Sequence, residues 1–350
     1  MEKKVLIFFL IVLVFCVAMY GLFGRVSVTL VMASADKSKP GVHFVYLGAS
    51  ETEGRGTEDR GTEGVTSRET LSCRLKNKVP FSTITRTLAP LQAHPMIKSL
   101  FPKQSLEDVV HYNSCAVVSS SHAMKFHNYG RDIDAHDAVV RFNCAPTKNY
   151  VTHVGRRTDI RLINTVIPYT SCQREFWDRR VKMFNNEIVV VRNFLNVRVG
   201  KHGKLDLRQD QHHSFGNYVK YRRTFPERTM HFIQRPNFGV DIKNELSHFC
   251  NGKTNCKTTE SEKSPSTGAH GIVMMLHLCD WVYTYEFVPS AVDRNTSLAH
   301  YFDEETNFSW LYHSYNTERD YWRTLTVTSL EEVERTGVAV FRGLSQYNCT

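Results

Sequence analysis

Cys115-Ala-Val-Val-Ser-Ser-Ser121, Asp134-Ala-His-Asp137-Ala-Val-Val-Arg141-Phe-Asn143 and Asp159-Ile-Arg-Leu-Ile-Asn164 repeat one design. Each contains a short apolar run, suited to a strand buried on both faces, that ends in hydroxyl or amide residues. Such an end offers backbone N–H, O–H and amide groups to a phosphate, a sugar or a base. Taken singly, the serines read equally as caps and either Asn as a turn residue. Similar runs recur at Glu187-Ile-Val-Val-Val, His231-Phe-Ile, Trp281-Val-Tyr-Thr-Tyr and Val338-Ala-Val-Phe, with segments of helical length between several of them. Gly268 to Asp280 is apolar on nearly every side and follows Pro265-Ser266-Thr267, which predicts a buried, hydroxyl-capped helix. Strands alternating with helices predict an α/β sheet of mixed or mostly parallel order, which binds nucleotides at the carboxyl ends of its strands.

The chain of 350 residues, 41% hydrophobic and 11% aromatic, can bury a sizeable core, which excludes wholesale disorder. Its net charge of +9 is spread along the sequence. That favours an anionic small substrate at least as much as nucleic acid. Met1-Glu2-Lys3-Lys4 precedes an uncharged apolar run over residues 5–24, which is 20 residues and long enough to span a bilayer as a helix. The lysines keep the short tail (1–4) cytosolic and place the rest across the membrane, as a single-pass type II signal-anchor. The competing reading is a cleaved signal peptide ending at Ala33-Ser34-Ala35, but its apolar core would be shorter. Residues 25–70, with Arg55-Gly-Thr-Glu58 repeated as Arg60-Gly-Thr-Glu63, predict a flexible luminal stem. A globular domain is expected over 71–350. Of nine cysteines, Cys16 lies in the apolar run and the other eight lie beyond it, as expected in an oxidising lumen. Asn295, Asn307 and Asn348 head glycosylation sequons, the third containing a cysteine.

Residues 115–164 resemble the long sialyl motif of eukaryotic sialyltransferases. Pro265-Ser-Thr-Gly-Ala-His-Gly-Ile-Val-Met-Met-Leu-His-Leu-Cys279-Asp resembles the family's short motif, His300-Tyr-Phe-Asp303 its third, and His313 with Glu318 its very short one. The resemblance implies a Rossmann-like, mostly parallel sheet flanked by helices, a GT-A-like variant fold. It also implies a Golgi enzyme moving sialic acid from CMP-sialic acid to the terminal galactose of glycoprotein glycans. Stem cleavage would release a soluble form. Ser120, Asn143, Asn164, Thr267, Gly268, His300 and Tyr301 match positions around the donor. His313 matches the general base, with Glu318 and Tyr312 in support. A histidine titrates near neutrality and so can take the acceptor's proton in a single inverting displacement. The family works without a metal or other cofactor. Two disulfides, Cys115–Cys279 and Cys73–Cys349, are implied, whereas Cys144, Cys172, Cys250 and Cys256 are left unassigned.

Other readings weigh less. Asp132-Ile-Asp134 has the Asp-x-Asp form of metal-dependent glycosyltransferases, yet it lies inside the long motif, so a solvated or capping pair is expected. His122, His127, His212 and His213 lack zinc-ligand spacing and are expected at the surface. Ser119-Ser120, Ala138-Val-Val-Arg-Phe-Asn and Tyr285-Glu-Phe resemble the β-galactoside α-2,6 branch. Val166 and Asp303 stand where that branch carries Gln, and His313-Ser-Tyr-Asn-Thr-Glu-Arg-Asp-Tyr-Trp resembles the GalNAc α-2,6 branch. The alternatives are therefore another acceptor class, GalNAc α-2,6 or galactoside α-2,3, and an inactive luminal glycan-binding protein.

Overall fold

The computed structural model describes residues 67–170, 172–193, 197–251, 263–292, 298–304 and 313–349. The apolar run 5–24, the stem as far as residue 66, Tyr312, Asn295 and Asn307 lie outside them. Among the described residues no helix is long and apolar enough to cross a membrane.

In chain order the main elements are α1 (Arg68–Lys78), β1 (Tyr112–Val118), α2 (Gly130–Ala135), β2 (Ala138–Phe142), β3 (Ile160–Ile163) and β4 (Ile188–Val191). There follow α3 (Ser214–Thr224), β5 (His231–Ile233), α4 (Phe238–Asn251), α5 (Thr267–Leu278), β6 (Cys279–Tyr285), α6 (Tyr315–Leu325), α7 (Leu330–Thr336) and β7 (Val338–Arg342). Every apolar run read as a strand is one. Together they form a single sheet in the order β5-β4-β3-β2-β1-β6-β7. All neighbours pair in parallel except β6 with β7. From β1 the chain adds strands on one side as far as β5, then returns to lay β6 on the other. That reversal opens a crevice at the carboxyl ends, between β1 and β6.

The continuous apolar runs follow from burial of both faces. Val117, Val140, Phe142, Leu162, Val190 and Phe232 share a core with Ile272, Met275 and Leu276 of α5. The alternate residues Ala116, Val118 and Val139 enter a second cluster, and Ile163, Val191 and Ile233 a third. A Cβ at Gly271 would lie 2.4 Å from Cε1 of Phe142, so only glycine lets α5 press this close to the sheet. Helix α5 ends at Leu278, ahead of the expected Asp280, because Cys279 already pairs with Tyr112 of β1. Running straight into β6, α5 lies antiparallel to it, which puts the helix N-terminus over the carboxyl edge of the sheet. Helix α1 starts at Arg68, where Ser67 Oγ accepts the Thr70 N–H and caps it.

Disulfides join Cys73 to Cys349, Cys115 to Cys279, and Cys144 to Cys172. Cys250 is also bridged, to a partner outside the described residues.

His231 of β5 and His270 of α5 are fully buried, and burial holds both rings well below the ordinary histidine pKa. The unfolded chain therefore binds protons that the fold refuses. Stability is unaffected by these groups above about pH 6.5 and falls as the pH drops below that unfolded-state value. Denaturant midpoints should be lower at pH 5.5 than at pH 7.5, and His231→Phe should shrink the difference.

Candidate active site

The carboxyl ends of β2 and β3 bring two predicted amides together. Asn143 follows β2 in the left-handed region (φ 47°), a conformation asparagine tolerates better than most side chains. Its Oδ1 accepts the backbone N–H of Asn164 at 2.9 Å, and Asn164 Oδ1 accepts that of Val166 at 2.9 Å. Because backbone N–H groups can only donate, both carbonyl oxygens are fixed in place. Among the described residues each Nδ2 amide is left for a ligand. The Asn143 backbone is itself held, since buried Arg161 donates to its carbonyl at 2.9 Å and pairs bidentately with Glu187 at 2.6 and 2.9 Å.

At the end of β1, Ser119 Oγ and Ser121 Oγ accept backbone N–H groups of the turn. Ser120 gives its carbonyl to Tyr301 N, and its hydroxyl has no protein partner among the described residues. A bridge between Ser121 and His300 docks the third motif against β1. His300 Nδ1 lies 2.6 Å from Asp303 Oδ2, which orients the ring and leaves Nε2 outward. Tyr301 is fully buried and its hydroxyl donates to Pro146 O at 2.6 Å, so it pins this loop and is not open to a ligand.

The N-terminus of α5 organises the rest. Ser266 Oγ caps the helix through Ala269 N at 3.0 Å. Buried Glu318 accepts from Ser266 N at 2.7 Å and Ser266 Oγ at 2.6 Å. Burial raises the Glu318 pKa, against the opposing pull of those bonds. One residue before Pro265, Ser264 O meets His313 Nδ1 at 3.0 Å. A carbonyl can only accept, so Nδ1 carries the proton and Nε2 of the neutral ring is the open acceptor. Partial burial lowers the His313 pKa, the Ser264 bond opposes this, and Arg192 adds to the lowering. His313 precedes α6 and Glu318 lies in its first turn, so the two meet the same turn from different directions.

Other expectations change. A Cβ at Gly268 would lie 2.4 Å from the Phe287 ring, so this glycine makes room for packing and not for a ligand. His127 is no surface residue: its Nε2 lies 3.2 Å from buried Glu286, and its ring stacks on Tyr129. His213 is likewise half-buried and bonds Asp210 at 2.8 Å. The Asp-x-Asp pair is the solvated and capping pair expected: Asp132 is exposed and Asp134 half-buried. Asp132 accepts from Tyr285 Oη at 2.6 Å, and Asp134 accepts the Arg156 and Arg157 N–H groups at 3.0 Å. Among the described residues no cluster of three or more metal-capable side chains is present. Because Asp134 holds those two N–H groups, Asp134→Ala should lower stability by about 1–3 kcal/mol by unpairing that loop. Urea titration with and without Mg²⁺ checks this, since a metal ligand would make the loss depend on Mg²⁺.

Arg192, His270 and Gln234 went unread in the sequence. Arg192 is 2% exposed and donates to Thr267 Oγ1 at 2.6 Å and Pro265 O at 3.1 Å. Its Nη2 lies 3.1 Å from His270 Nε2, and His270 Nδ1 lies 3.0 Å from Gln234 Oε1. A signal existed: Ile188-Val-Val-Val191 is followed by Arg192-Asn193, the same pattern of a strand and then polar groups.

The model of glycosyltransferase family 29 (sialyltransferase) matches residues 64–330. Beta-galactoside alpha-2,6-sialyltransferase 2 of Bos taurus is 30% identical over 288 residues, covering 81% of this chain and 55% of that protein. Beta-galactoside alpha-2,6-sialyltransferase 1 of Homo sapiens is 30% identical over 291 residues, covering 81% and 67%. The matched region thus spans little more than half of the bovine protein's length. A crystal structure of a mammalian sialyltransferase aligns at a TM-score of 0.41 and 17% identity, covering 73% of this chain and 79% of that one.

Proposed function

The chain belongs to glycosyltransferase family 29, the sialyltransferases, and from that membership we propose that it transfers sialic acid from CMP-sialic acid to the terminal galactose of glycoprotein glycans in α-2,6 linkage. The observation that carries this reading is His313, whose Nδ1–H is tied to Ser264 O while Nε2 stands open beside the N-terminus of α5. The acceptor hydroxyl would give its proton to Nε2 as its oxygen attacks the anomeric carbon. The bond from that carbon to the CMP phosphate oxygen breaks on the opposite face, through an oxocarbenium-like state with inversion. The anionic leaving group would be received by the first turn of α5, where N–H groups and the helix dipole favour negative charge. The Asn143 and Asn164 Nδ2 amides and the Ser120 hydroxyl would hold the nucleotide part of the donor. His300, its ring oriented by Asp303, would line the same part of the donor site. No metal enters this scheme.

The same reading makes the protein a type II Golgi enzyme. It would be anchored by residues 5–24, carried on a stem, and glycosylated at Asn295 and Asn307. Its catalytic domain would be a GT-A-like variant of the Rossmann-like fold. The test uses the full chain in detergent with CMP-sialic acid, EDTA, and acceptors ending in galactose or GalNAc, with product linkage assigned by NMR. Transfer to galactose in α-2,6 linkage despite EDTA is expected. An α-2,3 product or one on GalNAc would move the chain to another acceptor class. CMP-sialic acid binding without transfer to any acceptor would make it a glycan-binding protein.

A further inference from the structure

Resting on that transferase reading, we infer that Arg192 is a positioning residue of the reaction. It fixes the Thr267 hydroxyl as a hydrogen-bond donor toward the anionic part of the donor substrate, and it adds a buried positive charge behind the helix N-terminus that receives the leaving group.

The geometry begins at β4. Arg192 N donates to Ile163 O at 2.8 Å, which extends the β3–β4 ladder by one residue and aims the side chain at α5. A guanidinium has donors and no acceptor. The 2.6 Å contact from Arg192 Nη1 to Thr267 Oγ1 therefore makes the threonine oxygen an acceptor. The hydroxyl proton has to point elsewhere, and Thr267 is the first residue of α5, at the carboxyl edge of the sheet. The same logic sets His270. Its Nε2, 3.1 Å from Arg192 Nη2, accepts, so Nδ1 carries the proton and donates to Gln234 Oε1. One guanidinium thus dictates the polarity of a hydroxyl and the tautomer of a buried imidazole.

Arg192 also completes a clamp. Its Nη2 holds Pro265 O from the sheet side, while Glu318 of α6 holds Ser266 through both N and Oγ. Residues 265–267 are gripped between a buried cation and a buried carboxylate, and Ser264, the next residue back, carries the base His313. A buried guanidinium is expensive in a structural role that a neutral side chain could fill. Next to a helix N-terminus facing a departing phosphate, its charge acts where negative charge develops. Burial brings its pKa down to about 9, which leaves it charged at neutral pH.

The test compares Arg192→Gln, Arg192→Lys, Thr267→Val, Thr267→Ser and the double Arg192→Gln/Thr267→Val in the full chain. KM for CMP-sialic acid, KM for the acceptor and kcat are measured for each, with thermal unfolding beside them. Arg192→Gln and Thr267→Val should each raise the donor KM at least tenfold and leave the acceptor KM within about twofold. Arg192→Lys, which keeps the charge, should recover part of the loss, and Thr267→Ser nearly all of it. The double variant should fall short of the product of the single losses by at least fivefold, because the two groups act through one hydroxyl. Independent losses, or a parental donor KM in Arg192→Gln, would overturn the inference. Should Arg192→Gln fail to fold, Thr267→Val with a parental donor KM would overturn it equally. A parent chain silent toward every acceptor would sink the transferase reading and this inference with it, whereas an active parent with independent losses sinks the inference alone.

Discussion

Replacing His313 by alanine is expected to lower kcat by about 10²- to 10⁴-fold, the usual worth of a positioned general base. CMP affinity should stay within about twofold, because among the described residues the ring is held by Ser264 O and not by a group of the proposed nucleotide site. The pH profile gives a second, independent reading. Burial and Arg192 lower the His313 pKa, so the ring remains a free base to below the ordinary histidine value near 6.5. The acid limb of kcat/KM should therefore fall below about pH 6.5. In Arg192→Lys, which keeps the charge, the limb should move little. In Arg192→Gln it should move upward, since a neighbouring positive charge has been removed. Steady-state rates from pH 5 to 8 with isothermal calorimetry of CMP check each part. A His313→Ala variant retaining more than a tenth of the parental kcat would remove the histidine from the chemistry.

The second large effect is on stability. Replacing Cys115 and Cys279 together by alanine opens a loop of 164 residues, for which chain entropy predicts a loss of up to about 5 kcal/mol. For a domain of this size that is a fall in Tm on the order of 10 °C. Both cysteines are fully buried, so some packing is lost as well. The functional effect should exceed that of opening Cys73–Cys349, although the latter closes a longer loop of 276 residues. Cys115–Cys279 lies at the β1–β6 switch, whereas Cys73–Cys349 ties α1 to the chain end. Calorimetric scans and donor KM for the two double variants separate the cases. Equal donor KM values for both would show that the switch-point bridge does not position the site.

The strands were legible because burial on both faces writes an unbroken apolar run, as in Ala138-Val-Val and Ile188-Val-Val-Val. The amides at 143 and 164 were legible because each follows such a run. Harder to read was the sense of individual polar residues. Tyr301 and Gly268 carried the right motif position, but their neighbours, Pro146 and Phe287, are distant in sequence and decide what each does. His127 looked like a surface histidine until Glu286, from the end of β6, turned out to pair with it. Asp132 and Asp134 had the spacing of a metal site, and only the fold turns them toward Tyr285 and the Arg156–Arg157 backbone.

The sequence by itself determined the sheet, the capped helix before β6 and the order of the motifs, since periodicity and hydroxyl caps are local properties of a chain. Tertiary structure decided the tautomer of His313, the polarity of Thr267 and the burial of Arg192. These depend on hydrogen bonds between elements 49 to 75 residues apart. A side chain's capacity to donate or accept is fixed by its type, but which of these it does is settled by the partner that folding brings to it.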